Sequence, residues 1–263
     1  TASVSGGPGS ALASVDGTTE ASNRIGVTGV VNPMGDLSIG VVMGEGAQAY
    51  DAYAEANDVA SATITGGTGA GNAEATIISD NSAVNEIGLA GTVGAGSIDS
   101  DGIHSTSEAI LGEGGELLDI VGGVYAGTAN LNQYAIATAT TAGGTGHAIA
   151  SIDSTGVAAN SIGIVGSVQA MNENSDGVYI ELDVAATFAN AYGYAQAMAT
   201  KSDDAGDAEA SVNSFLLASN SVQMFGSVGD DSSISEGIYI TDSVVAAFSE
   251  ASGGNDANAS RSG

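Results

Sequence analysis

From Tyr134 to Asp153 the chain reads YAIATATTAGGTGHAIASID, two runs of alternating side chains joined by Gly143-Gly144-Thr145-Gly146. Successive residues of a strand point to opposite faces, so Ala135, Ala137 and Ala139 share one face while Tyr134, Ile136, Thr138 and Thr140 share the other. Beyond the glycines, Ala148, Ala150 and Ile152 resume one face and His147, Ile149 and Ser151 the other. A period of two on both sides of a glycine-rich tip predicts a β-hairpin.

The unit recurs. Glycine doublets stand at Gly6-Gly7, Gly66-Gly67 and Gly143-Gly144, with Asp203-Asp204 in the fourth place, at spacings of 60, 77 and 60. A second marker follows each: Asn23-Arg24-Ile25-Gly26, Asn85-Glu86-Ile87-Gly88, Asn160-Ser161-Ile162-Gly163 and Asn220-Ser221-Val222-Gln223. The glycine that closes this element moves from Gly29 to Gly91, Gly166 and Gly226 in steps of 62, 75 and 60. Two independent markers agree on four repeats of about 60 residues, approximately 1–60, 61–137, 138–197 and 198–263. The second is longer, and its excess falls near residues 103–116.

Each repeat carries a third element, read over Leu37–Met43, Ile120–Tyr125, Val178–Leu182 and Ile238–Ile240, after polar turns such as Asn172-Glu173-Asn174-Ser175-Asp176-Gly177. The fourth runs into the next hairpin. In the third repeat it is Val184–Lys201, where Ala185, Ala189, Ala191, Gly193, Ala195 and Ala197 are expected on one uniformly small face, and Phe188, Tyr192, Tyr194 and Met198 on the other. Alanine favours helix. The bulky residues nevertheless recur at two rather than 3.6, and acid–base pairs at i,i+4 are lacking, so a strand of some 18 residues, roughly 60 Å at 3.3 Å per residue, is expected. Residues 248–263 read as a partial fifth hairpin, with Gly253-Gly254 as its doublet. The fold class is therefore all-β: tandem repeats of hairpins or arches with long Ala-rich strands in extended sheets, sandwich- or solenoid-like. The small Ala face, with Ala135, Ala137 and Ala139, is the expected stacking surface, within the molecule or between copies.

Composition changes this picture in two ways. With 40 Gly and no Trp in 263 residues, the core has to be closely spaced sheets rather than large apolar side chains. The net charge of −28 comes from missing base, because only Arg24, Lys201 and Arg261 accompany 31 acids. A surface that tracks phosphates or anionic lipid is thereby excluded, and divalent cations become plausible partners for a self-repelling chain. No apolar run approaches the ~20 residues of a membrane helix. The chain carries no Cys. It begins at Thr1, as expected of an extracellular protein whose signal peptide has been removed, and one sequon, Asn258-Ala259-Ser260, is present.

Candidate chemistry is sparse. The two histidines, His104 in the insertion and His147 in a hairpin, lie near no Gly-x-Ser-x-Gly elbow, and no aromatic-rich cleft for sugar is suggested. No catalytic residue is assigned and an enzyme is not expected. Calcium is the better case. Asn172, Asn174, Asp176, Gly177 and Asp183 approximate the ligand spacing of an EF-hand loop, although strands rather than helices flank them. Asp99 and Asp101, and Asp230 and Asp231, occupy the corresponding turns of neighbouring repeats. Lys201, beside Asp203 and Asp204, reads as a surface lysine.

The Ala-x-Ala strands around Gly143-Gly144-Thr145-Gly146, with Asn160-Ser161-Ile162-Gly163-Ile164-Val165-Gly166 between them, resemble the sheath and surface-fibre proteins of archaea, in particular the amyloid-like sheath proteins of methanogens. The resemblance implies β-arches or hairpins that stack laterally between subunits into a resistant tube around cells. The expected function is thus an extracellular structural protein that polymerises with itself into a sheath, tube or filament. A calcium-dependent adhesin or S-layer module is the alternative. An ice-binding β-solenoid would need regular Thr-x-Thr arrays, of which only Thr138, Thr140 and Thr141 supply one.

Overall fold

The computed structural model of the chain describes residues 1–5, 9–32, 37–44, 47–49, 52–65, 71–105, 123–142, 145–202 and 206–261. All regular structure among them is β-strand. Four 21-residue strands, β2 (Ala11–Val31), β6 (Ala73–Val93), β9 (Ala148–Val168) and β12 (Ala208–Val228), form a long sheet. Four short ones, β3 (Ile39–Met43), β7 (Asp101–Ser105), β10 (Asp176–Ile180) and β13 (Glu236–Ile240), form a second. The third sheet contains β1 (Ala2–Ser5), β4 (Ala47–Ala49), β5 (Ala52–Thr65), β8 (Val124–Ala142), β11 (Val184–Lys201), β14 (Val244–Ala246) and β15 (Ser249–Arg261).

Every pairing among the described residues is parallel, and apart from β1, which lies along Ala62–Thr65 at the end of β5, each joins the same element of successive repeats. Each repeat therefore lays one strand in the long sheet, one in the short sheet and one layer, whole or in two pieces, in the third, and four such rungs stack without closing into a barrel. The marker asparagines align one above another, Asn23 on Asn85, Asn85 on Asn160 and Asn160 on Asn220. Identical residues stacking in register satisfy backbone and side chains together, which suits a sequence with few large apolar groups.

The hairpin reading of Tyr134–Asp153 is corrected by this topology. β8 bonds to β5 and β11, and β9 to β6 and β12, so the two runs lie in different sheets as an arch. A period of two states which side chains share a face, not which sheet a strand joins. In an arch the two Ala faces look at each other, and Ala135, Ala137, Ala139, Ala148 and Ala150 are all fully buried in one cluster.

Further clusters extend the core along the rungs. Ala52, Ala54, Ala83, Leu131, Ala158 and Ala191 fill the middle, while Ile87, Leu89, Ile103, Ile162, Ile164 and Ile180 fill the end nearest the short sheet. There the layers touch by backbone. A Cβ on Gly166 would stand 1.6 Å from the carbonyl oxygen of Gly237, and one on Gly91 1.7 Å from that of Gly177. Each long strand thus meets the short strand of the following rung through a pair of glycines.

Three other expectations change. The third element of the second repeat is Asp101–Ser105, not Ile120–Tyr125, so the extra residues lie between Ser105 and Val124, and residues 106–122 are outside the described residues. Ser249–Arg261 lies along Ala189–Lys201 as a single strand, which places Gly253 and Gly254 beside Gly193 and Tyr194 in mid-strand rather than at a hairpin tip. Alternation also shifts phase at Thr187 and Phe188, so Ala185 faces outward while Ala189, Ala191, Ala195 and Ala197 face in. The tip residues Gly66-Gly67, Gly143-Gly144 and Asp203-Asp204 lie outside the described residues.

Candidate assembly interface

Of the two ways the Ala face was expected to stack, within the molecule or between copies, the fold uses the first: Ala135, Ala137, Ala139, Ala189, Ala191 and Ala197 are buried inside the molecule, at no measurable exposure, and Ala195 is buried with them. Gly193 is covered by Leu216, whose Cδ1 lies 2.8 Å from where a Cβ would stand. What the fold leaves open is the pair of rung ends, at right angles to the faces.

At one end, β2, β3 and the third-sheet segment Ala52–Ser61 are the outermost strands. At the other they are β12, β13, β14 and β15. Among the described residues no strand covers these outer edges. Exposed apolar groups gather there: Leu12, Val30, Leu37 and Val42 at the first rung, and Phe215, Phe225, Ile234 and Phe248 at the last, with Phe225 at 67% and Ile234 at 79% exposure. Stacked-repeat proteins that stay monomeric cover such ends with polar capping repeats, and bare parallel edges are templates for further strands.

The two ends match. Ala208 in the long sheet, Glu236 in the short sheet and Ser249 in the third stand at the register positions of Ala11, Ile39 and Ala52, in each case 197 residues earlier. One register shift therefore relates the two ends in all three sheets. An open cleft of ≈ 700 Å³ at the last rung is lined by Met224, Ile238, Ile240 and Val244. Their register equivalents in the first rung are Val27, Val41, Met43 and Ala47, apolar residues of the same core cluster. Gly226 belongs to the same pattern. Its equivalents Gly29, Gly91 and Gly166 are pinned by the next rung's carbonyl at 1.6–1.8 Å from a hypothetical Cβ, whereas at Gly226 the nearest atom is Ile238 N at 3.4 Å.

Polar ladders run along the same axis. The Asn23 amide donates to Asn85 Oδ1 at 2.9 Å, Asn85 to Asn160 at 2.9 Å and Asn160 to Asn220 at 2.8 Å. In the turns, the backbone N–H of Ser38 donates to Ser100 Oγ, that of Ser100 to Ser175 Oγ and that of Ser175 to Ser235 Oγ, at 3.2, 3.1 and 3.1 Å. Both ladders run in one direction along the stack.

The calcium candidates do not converge. Among the described residues no group of three His, Asp or Glu side chains is arranged to hold a metal ion. Asn172 is buried and accepts from Ser97 N at 2.6 Å while donating to Gln169 O at 2.6 Å. Asn174 donates to Asp99, both in left-handed backbone. Asp183 accepts from the hydroxyl and the N–H of Ser243, which hold its carboxyl below the usual carboxylate range. Asp230 accepts Met171 N through its backbone carbonyl, and Asp231 is a left-handed turn residue. Asn172, Asn174 and Asp183 each bond to the corresponding turn of a neighbouring rung.

Asp101, Asp176 and Glu236 form an in-register acidic column on the outer face of the short sheet. Burial, followed by the charge of Asp101, raises the Asp176 carboxyl to about 6, against a smaller lowering by the N–H of Glu236. Beside this column His104, Tyr179 and Tyr239 stack at centroid distances of 4.6 and 5.3 Å. His104 is thus a strand residue with Nδ1 2.6 Å from Asp101 Oδ2, not part of an irregular insertion. Lys201, expected at the surface, is fully buried at the end of β11.

Comparison with protein-family models, with curated proteins and with solved structures found no match to this chain.

Proposed function

We propose that the protein is an extracellular structural subunit that polymerises end to end, the last rung of one copy docking on the first rung of the next to build a filament, tube or sheath at the cell surface. The observation that carries this reading is the single register relation shared by all three sheets, with the spared space at Gly226 where the next copy's Gly40 would dock. Such a junction would continue the backbone ladders of the long and short sheets and add apolar columns pairing Met224 with Val27 and Ile240 with Met43. Edge pairing of this kind is ordinary β-augmentation in which the added strands come from an identical molecule.

Gly226→Ala tests it. A Cβ at this position meets nothing closer than 3.4 Å within the molecule, so the variant folds with wild-type stability. The methyl group would collide with an incoming carbonyl, as it does at the three equivalent glycines. The expected result is a folded monomer by circular dichroism and sedimentation where the wild type forms large assemblies. Assembly of Gly226→Ala at the wild-type rate and extent would overturn the proposal.

A further inference from the structure

The outer face of the third sheet carries a group of phenols. Tyr134 of β8 and Tyr192 of β11 stand on adjacent parallel strands, one in the second rung and one in the third, and both face solvent, at 40% and 39% exposure. Their ring centroids lie 6.0 Å apart with the ring planes at 58°. The hydroxyl ends meet. The charge of the Tyr192 phenol foremost, then burial and a hydrogen bond between the two hydroxyls, push the Tyr134 phenol above its ordinary value, and Glu55 and Tyr53 act in the same direction. Tyr53 belongs to the first rung, where its hydroxyl donates to Glu55 Oε2 at 3.2 Å and accepts from Asn132 Nδ2 at 3.0 Å.

This arrangement suits one reaction of phenols. A phenol that has lost an electron and its hydroxyl proton carries the unpaired electron on the oxygen and on the ortho carbons beside the C–O bond. Hydroxyls in contact bring the ortho carbons of Tyr134 and Tyr192 to the closest approach of the two rings. A second pair, Tyr179 and Tyr239, has closer centroids, at 5.3 Å, but its rings are stacked with planes at 27°. A bond between two ring carbons lies in both ring planes, so rings stacked face to face present the wrong surfaces to each other. Tyr194 pairs in register with Tyr134, yet its ring lies over Gly254, with Cδ2 3.4 Å from where a Cβ would stand, and the ring that meets Tyr134 is that of Tyr192.

We propose that Tyr134 and Tyr192 are a site of oxidative modification, where a dityrosine bond staples the second rung covalently to the third. Each phenol gives up one electron and its hydroxyl proton. The two phenoxyl radicals join through their ortho carbons, and the hydrogen on each of these carbons moves to the oxygen of its own ring, which restores both phenols. Two electrons and two protons leave in all, and a peroxidase-type oxidant passes them to hydrogen peroxide, which is reduced to two waters. Glu55, whose charge reaches Tyr134, is the carboxylate at hand to accept a phenolic proton. The bond forms within one copy, so the inference goes beyond the end-to-end reading and stands apart from it.

Peroxidase and hydrogen peroxide are applied to the wild type and to Tyr134→Phe, Tyr192→Phe and Tyr179→Phe, each as an equal mixture of isotope-labelled and unlabelled chains. Phenylalanine keeps the ring and removes the hydroxyl that oxidation requires, and circular dichroism checks that each variant is folded. Dityrosine fluorescence and mass spectrometry of the cross-linked peptides are the readouts. The expected product joins the peptides that carry Tyr134 and Tyr192, is two hydrogens lighter than their sum and contains a single isotope. Tyr134→Phe and Tyr192→Phe should each lose most of the fluorescence, and Tyr179→Phe none. The oxidised wild type should also unfold at a higher temperature than oxidised Tyr134→Phe, since a bond between distant residues restricts the unfolded chain. A dominant link at Tyr179–Tyr239 or Tyr134–Tyr194, mixed-isotope products alone, wild-type fluorescence in Tyr134→Phe, or no dityrosine in the folded wild type would overturn the site. A Tyr134–Tyr192 link that leaves the unfolding temperature unchanged would overturn the staple.

Discussion

Asn85 donates its side-chain amide to Asn160 Oδ1 across 2.9 Å, 75 residues along the chain, with both side chains buried at 1% exposure or less. Each also donates to the third sheet, Asn85 to Thr128 O at 3.1 Å and Asn160 to Phe188 O at 2.8 Å. The ladder therefore ties rung to rung and sheet to sheet at one point. Replacing Asn160 by Leu leaves the Phe188 carbonyl and the amides above and below short of partners, and an unsatisfied buried polar group costs about 1–3 kcal/mol. Denaturant unfolding of Asn160→Leu should show a loss of that size. A change near zero would mean that the ladder only follows the fold.

Glycine tolerance should split along the long strands. Gly166 has the carbonyl of Gly237 1.6 Å from a hypothetical Cβ, while at Gly163 the nearest atom is Ile87 O at 4.0 Å. Gly163→Ala is expected to fold with unchanged or slightly raised stability, as the methyl restricts the unfolded chain. Gly166→Ala forces backbone apart at the contact between long and short sheets, at a cost of about 3 kcal/mol or more. Thermal unfolding of the pair would show a lowered midpoint for the second alone.

The Asp176 carboxyl titrates at about 6 in the fold against an ordinary value of 3.8. Its raised value means that the folded state binds the proton more tightly, so this group favours folding below pH 3.8 and that contribution is lost as pH rises through 6. Asp101, Glu236, His104 and Tyr179 face it and shape the titration. Asp176→Asn keeps the acceptor for Glu236 N and removes the charge. The variant should be more stable than the parent at pH 7 and lose that advantage by pH 4, measured as the difference between their melting temperatures. An equal difference at both pH values would contradict the assignment.

Much of the architecture was legible because the repeats keep register. The Asn and Gly markers located four units, and alternation along Ala189–Ala199 identified the inward face. Sheet membership was not legible, because Ala135–Ala139 and Ala148–Ala150 show the same alternation whether their strands pair with each other or face each other. The phase shift at Thr187 hid the outward position of Ala185 for a related reason: one unpaired residue inverts a period of two. The acidic turns carry the spacing of a ligand loop, but not the bonds of Asn172, Asn174 and Asp183 to the same turn one rung away, a relation across 60 or 75 residues that local spacing does not reveal. The register that relates the two end rungs leaves no mark in the residue pattern, because it is a property of the backbone and any residue can supply it.

In end-to-end polymerisation as proposed, copies add along the stacking axis with their rungs continuous. Four rungs spaced by about 4.8 Å predict a subunit rise of roughly 19 Å, with strands perpendicular to the long axis. Electron cryo-microscopy of purified assemblies reads both quantities directly. A rise near 19 Å with all three sheets running unbroken across the junction is the expected result. A monodisperse monomer at high concentration, with or without calcium, or an assembly whose strands lie along the axis, would contradict the account.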